Sequence, residues 1–348
     1  MTIRATEHAP APVAPTTVSV PAGRQSNGFA RLITIQKQIP VVQLVLLVVV
    51  FLVGVVTLPG FGSPVSIASI LILSALAGLA SVGQTLVVII GGFDLSVAGF
   101  IVAGALMVTQ FAQVTGLSFF TALLLLIPVF LVLGGLTGYI CHRFNVHPII
   151  ISLAMGSIAL GLVRVVSGTA IVGSPPAFLR ALTSPIGGTF GIPIPPIVAI
   201  WIVVAIAMAL FLHRTVAGRK LYATGANPRA AGYSLVRTRW FWVGAFAFSG
   251  LCSGLVGVAL VAFAGSVDSS LGDPYLFVSL AAVIVGGTVF GGPGDYTRTI
   301  VGALVLTTIT TVLVGYGLVK ADQQIMYGAI ILLAMAIYGR DKKLKDRV

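Results

Sequence analysis

Charge is scarce in this chain. Only 8% of its 348 residues are Asp, Glu, Lys or Arg, and the single glutamate is Glu7. A soluble domain would carry about one quarter. No charged residue lies between Lys37 and Asp94, or between Asp94 and Arg143. Reactive clusters are lacking too. Cys141 and Cys252 have no metal-ligand spacing. His8, His142, His147 and His213 sit in the tail or near helix ends, and there is no HExxH and no carboxylate pair. Acid–base and metal chemistry therefore have no visible site, and neither a metal nor a catalytic residue is expected. No Gly-Lys dipeptide occurs, which excludes a Walker A loop and a nucleotide motor within the chain.

What fills the chain instead is apolar sequence, 57% of all residues. About 20 apolar residues cross a bilayer as a helix, and runs of that kind recur throughout. The expected fold is all-α, a polytopic helical bundle of the inner membrane with about ten transmembrane helices. The spans read as 41–57, 65–90, 97–113, 118–140, 147–167, 195–212, 240–264, 275–290, 299–318 and 323–338. Segment 168–194 carries too many Gly, Ser and Pro for a crossing. Residues 1–40, rich in Pro, Ala, Thr and Ser, read as a disordered tail, and 339–348 as a basic tail around the membrane domain 41–338. With both termini cytoplasmic, the inner segments hold 17 Lys or Arg and the outer ones only Arg180 and Lys320. That asymmetry follows the positive-inside rule, and it accounts for the +12 net charge without nucleic acid. Arg164, near the outer end of its span, reads as snorkelling.

Glycine is abundant at 41 residues. The pairs Gly134/Gly138, Gly250/Gly254 and Gly287/Gly291 have the GxxxG spacing that lets helices approach closely in lipid. A faint internal echo links 87–106 with 282–304: an apolar run, a Gly pair, a polar turn with an Asp, and a second apolar run. Asp94-Leu95-Ser96 reads first as a cap for the next helix and second as a substrate contact. Its inner-face position suggests a gate or structural turn.

The segment 213–239 is the longest polar stretch on the inner side, with Arg214, Arg219, Lys220, Arg229, Arg237 and Arg239. Asn227 suits a helix cap and Pro228 the first helical position, so a short helix with a small-residue face is expected. Ion-coupled transporters keep ionisable groups inside the bundle, and here only Asp94 and Arg164 are candidates. Active transport would need a second subunit as motor. The segment then reads either as its docking surface or as a positive-inside anchor.

Three stretches in order resemble the permease subunits of bacterial ABC importers for simple sugars of the ribose, xylose and galactose type. Gly91-Gly92-Phe93-Asp94-Leu95-Ser96-Val97 is similar to that family's GGIDLSVG turn, with Phe93 for Ile and Ala98 for Gly. Ala223-Thr224-Gly225-Ala226-Asn227-Pro228, then Ala230-Ala231, resembles its A-x-G-G-N-x-x-A-A loop. Val285-Gly286-Gly287-Thr288, then Gly291-Gly292-Pro293-Gly294, resembles its GGT…GG-x-G segment. The resemblance spans about residues 41–340. It implies a non-enzymatic transport subunit for a monosaccharide or similar small polar solute, with no cofactor of its own. ATP-Mg would be bound by a partner ABC ATP-binding subunit, and the solute delivered by a periplasmic substrate-binding protein. A second permease copy, identical or paralogous, would complete the pore. Ala223, Gly225, Asn227, Pro228, Arg229, Ala230 and Ala231 would couple to the ATPase. Gly91, Gly92, Asp94, Leu95, Ser96, Gly286, Gly287, Thr288, Gly291, Gly292 and Gly294 would form gates or structural turns. Arg229 stands where the family commonly has Glu, and Gly232 where it often has Arg, so an acidic partner groove is expected. An ion-coupled secondary transporter is the alternative.

Overall fold

A computed structural model describes residues 40–168, 174–189 and 191–338. The expected tails lie outside them, apart from Pro40. The described chain folds into helices, named here in order: α1 (Val41–Thr57), α2 (Pro64–Ile89), α3 (Val97–Thr115), α4 (Phe119–Phe144), α5 (Pro148–Ser167), α6 (Ala177–Leu182), α7 (Pro196–Arg214), α8 (Val216–Ala226), α9 (Pro228–Tyr233), α10 (Thr238–Ala264), α11 (Asp273–Val285), α12 (Tyr296–Gly315) and α13 (Lys320–Tyr338). Seven of these, α2 to α5, α7, α10 and α12, are long and apolar enough to cross a membrane. The shorter apolar helices α1 and α11 occupy the expected first and eighth spans, and α13 the tenth.

Local chemistry explains many of the boundaries. Ser63, Ser118 and Thr215 accept hydrogen bonds from backbone N–H groups in the first turns of α2, α4 and α8. Left-handed Gly116 and Gly265 stop α3 and α10. Residues 107–111 of α3 form a π-helical turn. The expected span 275–290 ends early, at Val285, because Gly286-Gly287-Thr288 leaves the helix. At about 1.5 Å per residue a 13-residue helix falls short of a bilayer. Beyond Val285 the backbone is irregular as far as Asp295.

The bundle is layered. Helices α2, α3 and α10 are its centre, with Ile72, Leu76, Phe100, Ile101 and Val261 buried. Helices α1, α5 and α7 present Val48, Val56, Ile150, Leu162, Ile202 and Val203 outward, as lipid-facing helices do. Two of the three GxxxG pairs act in helix packing. A Cβ on Gly134 would sit 2.3 Å from Phe246 O, one on Gly138 2.3 Å from Trp242 O, and ones on Gly250 and Gly254 2.6 and 2.7 Å from the Phe100 and Phe130 rings. The third pair does not: Gly287 and Gly291 have φ of +87° and +60° and lie in turns. Their spacing is that of a repeated turn residue, not of a helix face.

Three helices are tied together by one polar chain in the core. Trp201 Nε1 of α7 donates to Tyr296 Oη of α12 at 2.9 Å, and Tyr296 Oη donates to Gly78 O of α2 at 2.8 Å. Tyr296 is fully buried. Tyr296→Phe strands the indole N–H in an apolar core, and the expected loss is about 1–2 kcal/mol. A thermal-unfolding midpoint in mild detergent equal to the parent's would refute that role.

At the end of the bundle away from α8, Arg164 donates to Ser269 Oγ at 3.1 Å and Lys320 to Ser270 Oγ at 3.1 Å. Lys320 also lies 3.9 Å from Asp268. Arg164 is thus anchored to the α10–α11 turn.

Candidate functional site

The internal echo becomes a duplicated helix ending. Helix α2 closes with Gly92 N–H to Val87 O (2.8 Å) and Gly91 N–H to Val88 O (3.0 Å). Helix α11 closes with Thr288 N–H to Val283 O (3.2 Å) and Gly287 N–H to Ile284 O (2.8 Å). Both are Schellman motifs, which place one residue in the left-handed region. Gly91 and Gly287 fill that position, with φ of +88° and +87°. The structural match therefore pairs Gly91 with Gly287, one residue off the alignment of the two Gly pairs. Each turn is followed by an Asp that accepts from the N–H two residues on, although only Asp295 is itself the helix cap. Asp94 Oδ1 accepts from Ser96 N–H at 2.9 Å, and Asp295 Oδ1 from Thr297 N–H at 3.1 Å. Asp94 is thus a turn residue bonded to its own neighbour rather than a cap reaching into α3.

The two endings touch. Gly291 N–H donates to Val88 O at 3.0 Å, and the Phe93 and Phe290 rings stack with centroids 4.6 Å apart. Gly292 N–H and Val289 N–H close the second turn onto Val289 O and Pro293 O. Gly294 leaves no room for a Cβ beside Thr288, and Gly286 none beside the backbone of Arg298 and Thr299.

Segment 213–239 packs onto this pair of turns as two helices, not as a loop. Thr215 starts α8. Asn227 Oδ1 accepts from Arg229 N–H (3.1 Å) and Ala230 N–H (3.0 Å) and starts α9, with Pro228 at its first position. Helix α8 is clamped inward at two points, and the end of α7 adds a third. Tyr222 Oη donates to Gly294 O at 2.6 Å. A Cβ on Gly225 would lie 1.9 Å from Ile89 O. Just before α8, His213 Nε2 lies 3.3 Å from Asp295 Oδ2. Burial, then the nearby Asp295 charge, pushes the Tyr222 hydroxyl up to about 12, so it remains a donor.

The expected coupling residues divide by direction. Ala223, Asn227, Pro228, Arg229 and Ala230 face out, while Gly225 is half-buried and Ala231 buried. Two exposed apolar side chains join the outward set, Tyr233 and Leu235, each 90% exposed. Leu235 has φ of +60°, which L-residues rarely adopt. Neither stood out in the sequence, where a Tyr and a Leu in an oily chain carry no signal. In the sequence His213 is legible only as a histidine near a helix end and Asp295 only as the Asp of the second echoed turn, while Tyr222 carries no signal.

Asp94 lies deeper, 1% exposed. Leu95 N–H donates to Ser152 Oγ of α5 at 2.9 Å, which ties the turn to a third helix. Ser249 of α10 lies beside the carboxylate, yet Asp94 Oδ2 and Ser249 Oγ complete no hydrogen bond. Burial holds the Asp94 carboxyl above its ordinary value, against the lowering effect of Ser249 and Ser96. Thr288 Oγ1 is likewise buried without a partner. Among the described residues no group of His, Cys, Asp or Glu could hold a metal.

A bundle of apolar helices long enough to cross a membrane, with one polar segment packed onto two duplicated turns, defines a multi-pass membrane protein. The chain belongs to the family described as the permease component of branched-chain amino acid transport systems, matched over residues 66–335. It is 29% identical over 299 residues to the D-allose transport system permease protein AlsC of Escherichia coli, covering 84% of this chain and 89% of that one. It is 30% identical over 295 residues to the ribose import permease protein RbsC of Bacillus subtilis, covering 84% and 90%. It is 28% identical over 313 residues to the fructose import permease protein FrcC of Rhizobium meliloti, covering 86% and 84%. No solved structure matches the chain. The protein is thus a permease component of an ABC importer and a non-enzymatic one, and the ion-coupled alternative finds no support.

Proposed function

We propose that the chain carries a monosaccharide or a similar small polar solute across the inner membrane. In this reading a periplasmic binding protein delivers the solute and an ATP-binding subunit docks on α8–α9. The named relatives move allose, ribose and fructose, which favours a sugar over the amino acids in the family description. About ten spans with both ends cytoplasmic fit the basic residues around α8–α9. The pore is completed by a second permease copy.

The observation that carries this reading is the clamp of α8 on both turns. A force on the outward face of α8–α9 reaches α2 through Ile89 and the α11–α12 turn through Gly294. ATP-driven closure of the motor then biases the bundle between two openings, because the motor binds those states unequally. Nothing on the lever is acidic, so its partner groove is acidic.

The test uses Arg229→Glu combined with Leu235→Ser, two exposed positions whose replacement leaves the bundle intact. Native chain drawn from bacterial membranes in mild detergent should carry an ATP-binding-cassette subunit, identified by mass spectrometry. The double variant should retain about tenfold less. Equal retention would make α8–α9 a membrane anchor only.

A further inference from the structure

Between α7, α8 and α10 lies an apolar groove of about 430 Å³ on the outside of the bundle. Met208, Phe211, Leu221, Phe241 and Phe248 form its walls. Gly244 lines it from α10, and a Cβ there would meet nothing within 4 Å. Gly250, Gly254 and Gly257 of the same helix are all filled by a neighbour. Gly244 therefore has no packing partner in the fold, and its effect is to keep the groove open. The volume falls within the range of about 300–1,000 Å³ that small ligands occupy.

The mouth of the groove is chemically different from its walls. Trp240 lines it and is 59% exposed, as an indole at the membrane–water interface is. An indole at that interface would put the groove at acyl-chain level and the residues just beyond Trp240 among headgroups. Two of those are arginines aligned with the groove. Arg214 ends α7 three residues after Phe211 and seven after Ala207, on the same helical stripe. Arg237 stands at the start of α10, four residues before Phe241 and seven before Gly244. Both are exposed, and among the described residues neither side chain has an ion-pair or hydrogen-bond partner.

We propose that this groove is a binding site for one anionic phospholipid, an acyl chain against Gly244 and the phosphate between Arg214 and Arg237. The charge complementarity singles out the occupant. A zwitterionic lipid would fill the apolar part equally well but gain far less at the rim. A basic pocket between helices at the interface is how an anionic headgroup is held. Because Leu221 of α8 is one wall, the bound lipid braces the same helix that grips the two turns. The site rests on the groove and its rim, not on the import reading, so either can fail alone.

The experiment is native mass spectrometry of the full chain in mild detergent, titrated with phosphatidylglycerol or with phosphatidylcholine. The parent should keep phosphatidylglycerol at least about fivefold better. Arg214→Gln and Arg237→Gln should each weaken phosphatidylglycerol by about fivefold and leave phosphatidylcholine unchanged. Gly244→Leu should abolish retention of both by filling the groove. Equal retention of the two lipids by the parent would overturn the proposal, as would arginine variants that hold phosphatidylglycerol like the parent. A groove occluded by a second copy would also overturn it, read as cross-linking between Cys residues placed at position 244. Should Gly244→Leu fail to fold, the arginine variants still decide, since both positions are exposed.

Discussion

Gly225→Ala is expected to release α8 from the bundle. The new Cβ would lie 1.9 Å from Ile89 O, 2.9 Å from Ile89 C and 3.3 Å from Ile90 Cα. All three are backbone atoms, so no side-chain rotation relieves the clash. Either α8 moves out or the end of α2 moves in, at a cost of about 1–3 kcal/mol. Moving α8 is the easier course, since α2 is buried at the centre. The Tyr222–Gly294 hydrogen bond then breaks, and with it the second contact of the lever. Hydrogen exchange over residues 216–235 should rise by at least about tenfold, while exchange in the centre of α2 stays as in the parent. The outward residues Asn227 to Ala230 are untouched, so the ATP-binding subunit should still co-purify. Uptake of the transported solute should nonetheless collapse. Parent-like exchange in α8 would mean that this contact is not what holds the lever. Lost co-purification would mean that docking depends on the packing beneath it.

The second large effect is expected at Asp94, where two substitutions should act in opposite directions. Asp94→Asn keeps an acceptor for Ser96 and removes a buried charge, so the variant should be at least as stable as the parent at neutral pH. Asp94→Leu removes the acceptor and strands the Ser96 N–H and hydroxyl, at about 1–3 kcal/mol for each orphaned group. The pH dependence follows from the raised carboxyl value. The folded protein binds the proton where the unfolded chain has already lost it. Stability from this group is therefore complete below the ordinary carboxylate value of 3.8. It is lost as pH rises through the raised folded value. The thermal midpoint of the parent should fall across that window relative to Asp94→Asn, in which the contribution is absent. Superimposable pH profiles for the two would show that the carboxyl is not desolvated.

The legibility of the sequence was uneven, for reasons the individual residues make plain. Asn227-Pro228 was readable as a helix start because capping and the fixed proline φ are local effects. The Gly134/Gly138 and Gly250/Gly254 pairs were readable as packing faces, since both lie inside long apolar helices. Gly287/Gly291 had the same spacing and the opposite meaning, because the helix stops at Val285 and spacing alone cannot report φ. Asp94 and Asp295 look alike in sequence, yet one is 1% exposed and the other faces His213. Segment 213–239 is polar and basic throughout, so its two halves, one clamped and one displayed, cannot be told apart from residue types alone.

By itself the sequence determined the class of protein: a scarcity of charge, repeated apolar runs and one basic segment leave little besides a polytopic bundle with one polar segment. These are properties of composition and local period, and the bilayer enforces them wherever the chain folds. The tertiary structure alone decided that Gly91, Gly225, Gly291 and Gly294 meet in one place, and that Gly244 opens a groove. Such contacts join residues far apart in the chain, as Gly91 and Gly291 show. They depend on how helices cross, and the crossing is set by the packing of many side chains at once.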